Sequence, residues 1–150
     1  MNKVVIFVIM LGIKETLQQS DSSNALLEMA KMSVEDCYED EAKTKKIEIT
    51  DDGFQDILMG SRDAVRNAKC IRYCIMKKQD LFSEDNSLDE TAVIPFFTYL
   101  FNNAVEIQQL KGIIAMCNEG ITGETDRCER SHKATMCILE KFNAAGMKNI

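Results

Sequence analysis

Apolar residues recur along most of this chain at spacings of three and four, the period of a helix with one buried face. Between residues 24 and 41, Leu26, Leu27, Met29, Ala30 and Val34 keep that spacing with acidic residues between them. This predicts a helix that bends or restarts at Ser33-Val34-Glu35-Asp36. Thr50-Asp51-Asp52 offers a capping hydroxyl and two carboxylates suited to a helix N-terminus, and Phe54, Ile57 and Leu58 follow at i, i+3 and i+4. A third helix is predicted over 62–78, its end marked by Lys77-Lys78, cations that favour a C-terminal turn. A polar loop covers 83–87. Ser87-Leu88-Asp89-Glu90 has the form of a capping box opening a fourth helix. That helix should kink or restart at Pro95, and Phe96, Phe97, Leu100 and Phe101 make its far end apolar. A fifth helix is expected over 105–117, stopped by Gly120. Thr125 is expected to cap a sixth, which reaches about residue 145 and ends at Gly146. No stretch alternates apolar and polar residues with the period of a strand. The pattern predicts an all-α, compact six-helix domain without linker or internal repeat.

The N-terminus departs from this pattern. Lys3 precedes an apolar run from Val4 to Ile13, and polar residues follow at once. The run is far short of the ~20 apolar residues that span a bilayer and fits the core of a secretory signal peptide. Cleavage is expected between Gly12 and Ser20, giving a signal peptide over 1–19 and a mature domain over 20–150. Removal takes Lys3, Lys14 and Glu15 and leaves the chain acidic. The full chain has 150 residues and a formal charge of −6, which argues against binding a nucleic-acid phosphate backbone. No stable membrane insertion is expected, and no Asn-x-Ser/Thr acceptor for N-linked sugar occurs.

Composition changes the picture chiefly through its six cysteines. Cys37, Cys70, Cys74, Cys117, Cys128 and Cys137 are separated by 32, 3, 42, 10 and 8 residues. An even count in a secreted chain implies disulfides, and spacing alone leaves all of the possible pairings open. Cys70 and Cys74 fall at i and i+4 on one helix and share a face, with nearly parallel Cβ vectors unsuited to bonding each other. They should therefore tie their helix to two different partners. Zinc is the competing reading of Cys-x3-Cys, but a secretory leader, a helical context and the lack of a second close pair argue against it. No metal or other cofactor is expected.

The early Cys37, the Cys70-x3-Cys74 pair, the gap to Cys117 and the ten- and eight-residue gaps to Cys128 and Cys137 resemble the insect pheromone-binding and general odorant-binding proteins of six-cysteine type. The short leader, the acidic chain and the helical pattern agree over the whole mature chain. The resemblance implies the pairing Cys37–Cys74, Cys70–Cys128 and Cys117–Cys137. It also implies six helices around an apolar cavity that carries a small hydrophobic ligand through extracellular fluid such as sensillar lymph. An olfactory receptor or a second copy of the chain would be a further partner. The alternative on the same scaffold is a secreted interaction protein of venom, seminal fluid or haemolymph.

Candidate cavity residues, chosen from apolar stretches and cysteine-bearing helix faces, are Leu27, Phe54, Leu58, Met76, Leu81, Phe97, Leu100, Phe101, Leu110, Ile114, Ile138 and Phe142. Nine methionines suit a pocket that adapts to varied shapes. Thr98, Tyr73 and Tyr99 could supply a polar wall group, but each reads first as a surface or capping residue. His132, between Arg130 and Lys133, reads as a solvated surface residue. Some members of the resembling family release ligand at low pH by inserting a long C-terminal segment. The 13 residues after Cys137 are too few to insert as a full helix. No nucleophile elbow, zinc-protease motif or phosphate loop occurs, so no enzymatic activity is expected.

Overall fold

The computed structural model describes residues 34–48, 50, 53, 63–100 and 106–146, without the side chains of residues 96, 99 and 100. These residues form four α-helices: α1 (Arg66–Lys78), α2 (Glu90–Leu100), α3 (Ile107–Ile121) and α4 (Arg127–Ala144). Four helices thus stand where six are predicted; residues 24–33 and 54–62, on which much of the first two falls, lie outside the described residues. No strand forms among the described residues, only isolated antiparallel bridges at Tyr38–Lys46 and Phe82–Leu88.

The predicted helix over 24–41 does not extend through its second half. After a turn at 34–36 the chain doubles back: Glu39 N–H bonds the Lys45 carbonyl at 2.8 Å, and Ile47 N–H bonds that of Cys37 at 3.0 Å. The carboxylate of Asp40 gathers the amides of Thr44 and Lys45 at 2.9 and 2.8 Å. The Thr44 amide foremost holds Asp40 down to about 2. A helix here would have stacked Glu35, Asp36, Glu39, Asp40 and Glu41 as like charges a turn apart. In the observed conformation Asp36 pairs with Lys78, Glu39 with Lys45 and Glu41 with Arg127.

The predicted cap at Thr50 is present, its Oγ1 accepting from Gly53 N–H at 3.1 Å. Asn67 on α1 donates to the Glu48 carbonyl and to the same Thr50 Oγ1. A Cβ on Gly53 would come within 2.8 Å of Asn67 Oδ1, so a larger residue there would push the Asn67 side chain aside. Helix α1 begins at Arg66 rather than at residue 62. At its end Asp80 takes φ +57° and Leu81 N–H returns to the Met76 carbonyl at 2.9 Å. This closure brings the side chains at the two positions together, and both are buried.

Helix α2 is capped by Asp89, which accepts the Thr91 amide at 2.8 Å. Ser87 is not the cap: its hydroxyl and amide bind Asp85, inside the loop. Nor does Pro95 end the helix. The carbonyl that Pro95 leaves unserved belongs to Thr91, an exposed residue that water can reach. Helix α3 continues past Gly120 to Ile121, because Gly lowers helix stability without blocking it. The cap of α4 is Asp126 rather than Thr125, accepting from Cys128 and Glu129 N–H at 2.9 and 3.0 Å. Gly146, at φ +77°, follows its end as predicted.

Helix α4 is the centre of the described fold. It packs most extensively against α1, then against α3, and α3 carries α2. Three disulfides lock this arrangement. Cys37–Cys74 ties the N-terminal segment to α1, Cys70–Cys128 ties α1 to α4, and Cys117–Cys137 ties α3 to α4. Cys70 and Cys74 do go to separate partners, and the pairing is the one the resemblance implies.

Candidate functional site

The helix faces that meet across α4 carry most of the predicted apolar wall. Met76 on α1, Leu81 in the following loop, Phe97 on α2, Leu110 and Ile114 on α3, and Ile138 and Phe142 on α4 are all buried in one apolar cluster. Phe97 and Phe142 join α2 to α4 edge-to-face, with centroids 4.8 Å apart and planes at 90°. Such pairs contribute ~0.5–1.5 kcal/mol beyond the area they bury. Leu27, Phe54, Leu58 and Phe101 lie outside the described residues, as does the side chain of Leu100. The sequence leaves out Ile71, Ile75, Val93, Ile113 and Ile121, which the structure buries in the same cluster.

Polar groups inside the cluster correct two expectations. His132 is not on the surface: it is 5% exposed and its Nδ1 lies 2.9 Å from Nη1 of Arg72, itself fully buried. A guanidinium only donates, so Nδ1 accepts and the ring is neutral, with its hydrogen on Nε2. The signal for this burial was in the sequence, because His132 lies four residues after Cys128 and shares its inward face. Its charged sequence neighbours pointed the other way. Tyr73 is buried too: its hydroxyl donates to Asn86 Oδ1 at 3.0 Å and the Arg127 guanidinium sits 5.2 Å from its ring centroid. Burial pushes its phenol pKa up, against the nearby Arg127. Tyr73 is therefore committed to the fold and is not a free wall group. The side chain of Tyr99 is not among those described.

Two clefts open to solvent, of about 570 and 600 Å³, are lined mainly by charged and polar residues. One is formed by Ser83, Glu84, Asp85, Ser87, Leu88, Asp89 and Glu90, the other by Glu35, Lys46, Ile47, Glu48 and Thr50. Neither contains a residue of the predicted wall, and their chemistry suits water better than an apolar ligand. Among the described residues no group of His, Cys, Asp or Glu could hold a metal ion, and no helix is long and apolar enough to cross a membrane.

A helical domain whose six cysteines close three bridges across α1, α3 and α4 matches a known family model, described as the PBP/GOBP family, over residues 19–141. This chain belongs to the PBP/GOBP family. The matched span takes in every cysteine, α1 to α3 and all but the last three residues of α4. Among curated proteins, general odorant-binding protein 19d of Drosophila melanogaster is 24% identical over 100 residues, covering 66% of this chain and 66% of that protein. No solved structure matches significantly. The family the cysteine spacing resembles is thus the family that matches, and PBP/GOBP membership supports a role as a carrier of small ligands.

Proposed function

We propose that this PBP/GOBP chain is a secreted carrier that takes up small hydrophobic molecules in an apolar interior and moves them through extracellular fluid. The family match over residues 19–141 carries this reading. Support comes from the buried cluster of Met76, Leu81, Phe97, Leu110, Ile114, Ile138 and Phe142, which offers hydrocarbon surface from all four helices. Residues 1–19 serve as the leader and 20–150 as the carrier domain. Binding is non-covalent, driven by apolar burial at ~25 cal/mol per Å² before ordering costs.

The disulfides suit this work. Closing loops of this length stabilises the folded chain by ~3–4 kcal/mol per bridge on chain-entropy grounds. That is comparable to the whole net stability of a small domain and allows an interior packed less than fully. Paired cysteines also fit an oxidising extracellular compartment.

The test is native mass spectrometry of the protein secreted by a eukaryotic host and purified without detergent. The expected species lacks the leader, is lighter than the reduced chain by about six hydrogens, and takes up apolar volatiles or fatty acids from an added panel. A fully oxidised chain that binds none of them would move the function to recognition of a protein partner.

A further inference from the structure

Tyr38 is a nucleophile that neither the apolar cluster nor the disulfide frame uses. Tyr73 is buried with its hydroxyl on Asn86 Oδ1 at 3.0 Å. Tyr38 is only half-buried, and among the described residues no hydrogen bond engages its hydroxyl. It lies where the chain doubles back. The bonds from Glu39 N–H to the Lys45 carbonyl and from Ile47 N–H to that of Cys37 set Tyr38 directly opposite Lys46. In a pair of this non-hydrogen-bonded kind the two side chains leave the same face and stand close together. Cys37 and Ile47 are buried, so by strand alternation Tyr38 and Lys46 point outward. The tip that follows, residues 41–46, is exposed throughout.

The charges around this phenol single it out. Glu35, Asp36, Glu39, Asp40 and Glu41 all lie within three residues of Tyr38, whereas neither Tyr73 nor Tyr99 has a carboxylate so near in sequence. Asp36 and Glu41 keep 72% and 89% of their side chains exposed in spite of their ion pairs with Lys78 and Arg127. They therefore remain open to an enzyme with a basic cleft, which such a field draws in and orients. Lys46 supplies the complementary feature. Among the described residues no carboxylate pairs with it, and it offers an ammonium beside any anionic group placed on Tyr38.

We propose that Tyr38 is a sulfation site, its phenol converted to an O-sulfate ester in the secretory pathway by a sulfotransferase that recognises the surrounding carboxylates. This rests on the secreted reading above. The phenol oxygen attacks the sulfur of a nucleotide phosphosulfate. The bond from sulfur to the Tyr38 oxygen forms as the bond from sulfur to the phosphate oxygen breaks. The nucleotide phosphate leaves with that electron pair, and the phenolic proton passes to a base of the enzyme. The ester gives the outward face of this segment a fixed negative charge, with Lys46 as its neighbour of opposite sign.

Mass measurement of the full chain secreted by a eukaryotic host, grown with and without chlorate to block synthesis of the sulfate donor, tests this. A co-secreted acidic tyrosine peptide that takes up sulfate shows that enzyme and donor are active. The mature chain should gain the mass of a sulfuryl group on the fragment carrying Tyr38, and lose that gain in chlorate. Tyr38→Phe keeps the ring and should abolish the gain; were that variant not secreted, the wild-type fragments with and without chlorate still decide. Glu35→Gln/Glu41→Gln should lower the modified fraction several-fold. A secreted, leader-free chain with Tyr38 unmodified beside a sulfated reporter would overturn the proposal. So would a gain on another residue, one that survives chlorate or has the mass of a phosphoryl group, or an unchanged fraction in the double variant. A chain kept in the cell with residues 1–19 attached removes the secreted reading, and this one with it.

Discussion

Removing the Cys117–Cys137 bridge probes how the candidate site is held together. The bridge joins α3 to α4, the pair that carries Leu110, Ile114, Ile138 and Phe142. It closes a loop with a sequence separation of 20, the shortest of the three. Neither of the other bridges offers a shorter path between these two cysteines, so the full loop is released when the bond is lost. Chain entropy then assigns about 3 kcal/mol to the bridge. Loss of two sulfur atoms where Cys117 is fully buried adds a smaller packing cost. Against a net stability of ~5–15 kcal/mol, the variant should remain folded but marginal. Urea unfolding of Cys117→Ala/Cys137→Ala beside the wild type, both with the remaining bridges oxidised, provides the measure. A slope of ~1–3 kcal/mol per M implies a fall in midpoint of roughly 1–3 M. The slope itself should steepen, because the unfolded chain expands when the loop opens. A loss below about 1 kcal/mol with an unchanged slope would contradict the unfolded-state argument. It would mean that side-chain packing alone fixes α3 on α4.

Three further outcomes follow from particular contacts. Asp126→Ala removes acceptors from the Cys128 and Glu129 amides and an ion pair to Arg66 at 2.9 Å, and should cost about 1 kcal/mol, with Asp126→Asn costing less; equal losses in thermal unfolding would count against the cap. The Glu129 amide foremost, and then Arg66, hold the Asp126 pKa below 3.8, so its contribution is present above that pH and lost as pH falls through the lowered value. The difference between wild type and Asp126→Asn should accordingly shrink in acid unfolding below about pH 4. His132 should show the Nε2–H tautomer in a proton–nitrogen spectrum at neutral pH, and an Nδ1–H or imidazolium signature would contradict its acceptance from Arg72. A double-mutant cycle on Phe97→Leu and Phe142→Leu should give a coupling of about 0.5–1.5 kcal/mol, and strict additivity would deny the edge-to-face contact a role of its own.

Helical periodicity placed α1, α3 and α4 within a few residues of where they form, because each has an apolar face long enough to outweigh its local exceptions. It failed between residues 34 and 48. There Val34 and Cys37 are buried without a helix, held by the bridge to Cys74, the Asp40 turn and pairing with Lys78 and Arg127. Choosing caps from residue type alone failed by one residue at Thr125 and two at Ser87. Neighbouring hydroxyls and carboxylates are all competent caps, and the backbone turn selects among them. For the site, burial of Met76, Leu81, Phe97, Leu110, Ile114, Ile138 and Phe142 was legible as apolar periodicity. Burial of Arg72 was not, since no linear pattern announces a guanidinium 60 residues from the imidazole that receives it.

The sequence by itself determined the helical class, the separate partners of Cys70 and Cys74, and the family, whose signature is the spacing of residues along the chain. These are local or linear properties, fixed by the helical period and by the counts between cysteines. Only the tertiary structure decided what depends on two distant segments meeting. It set α4 between α1 and α3, turned His132 inward onto Arg72, and folded the acidic segment against basic partners. Burial is a property of neighbours in space, and a residue's neighbours in sequence carry only the part of it that the helical period transmits.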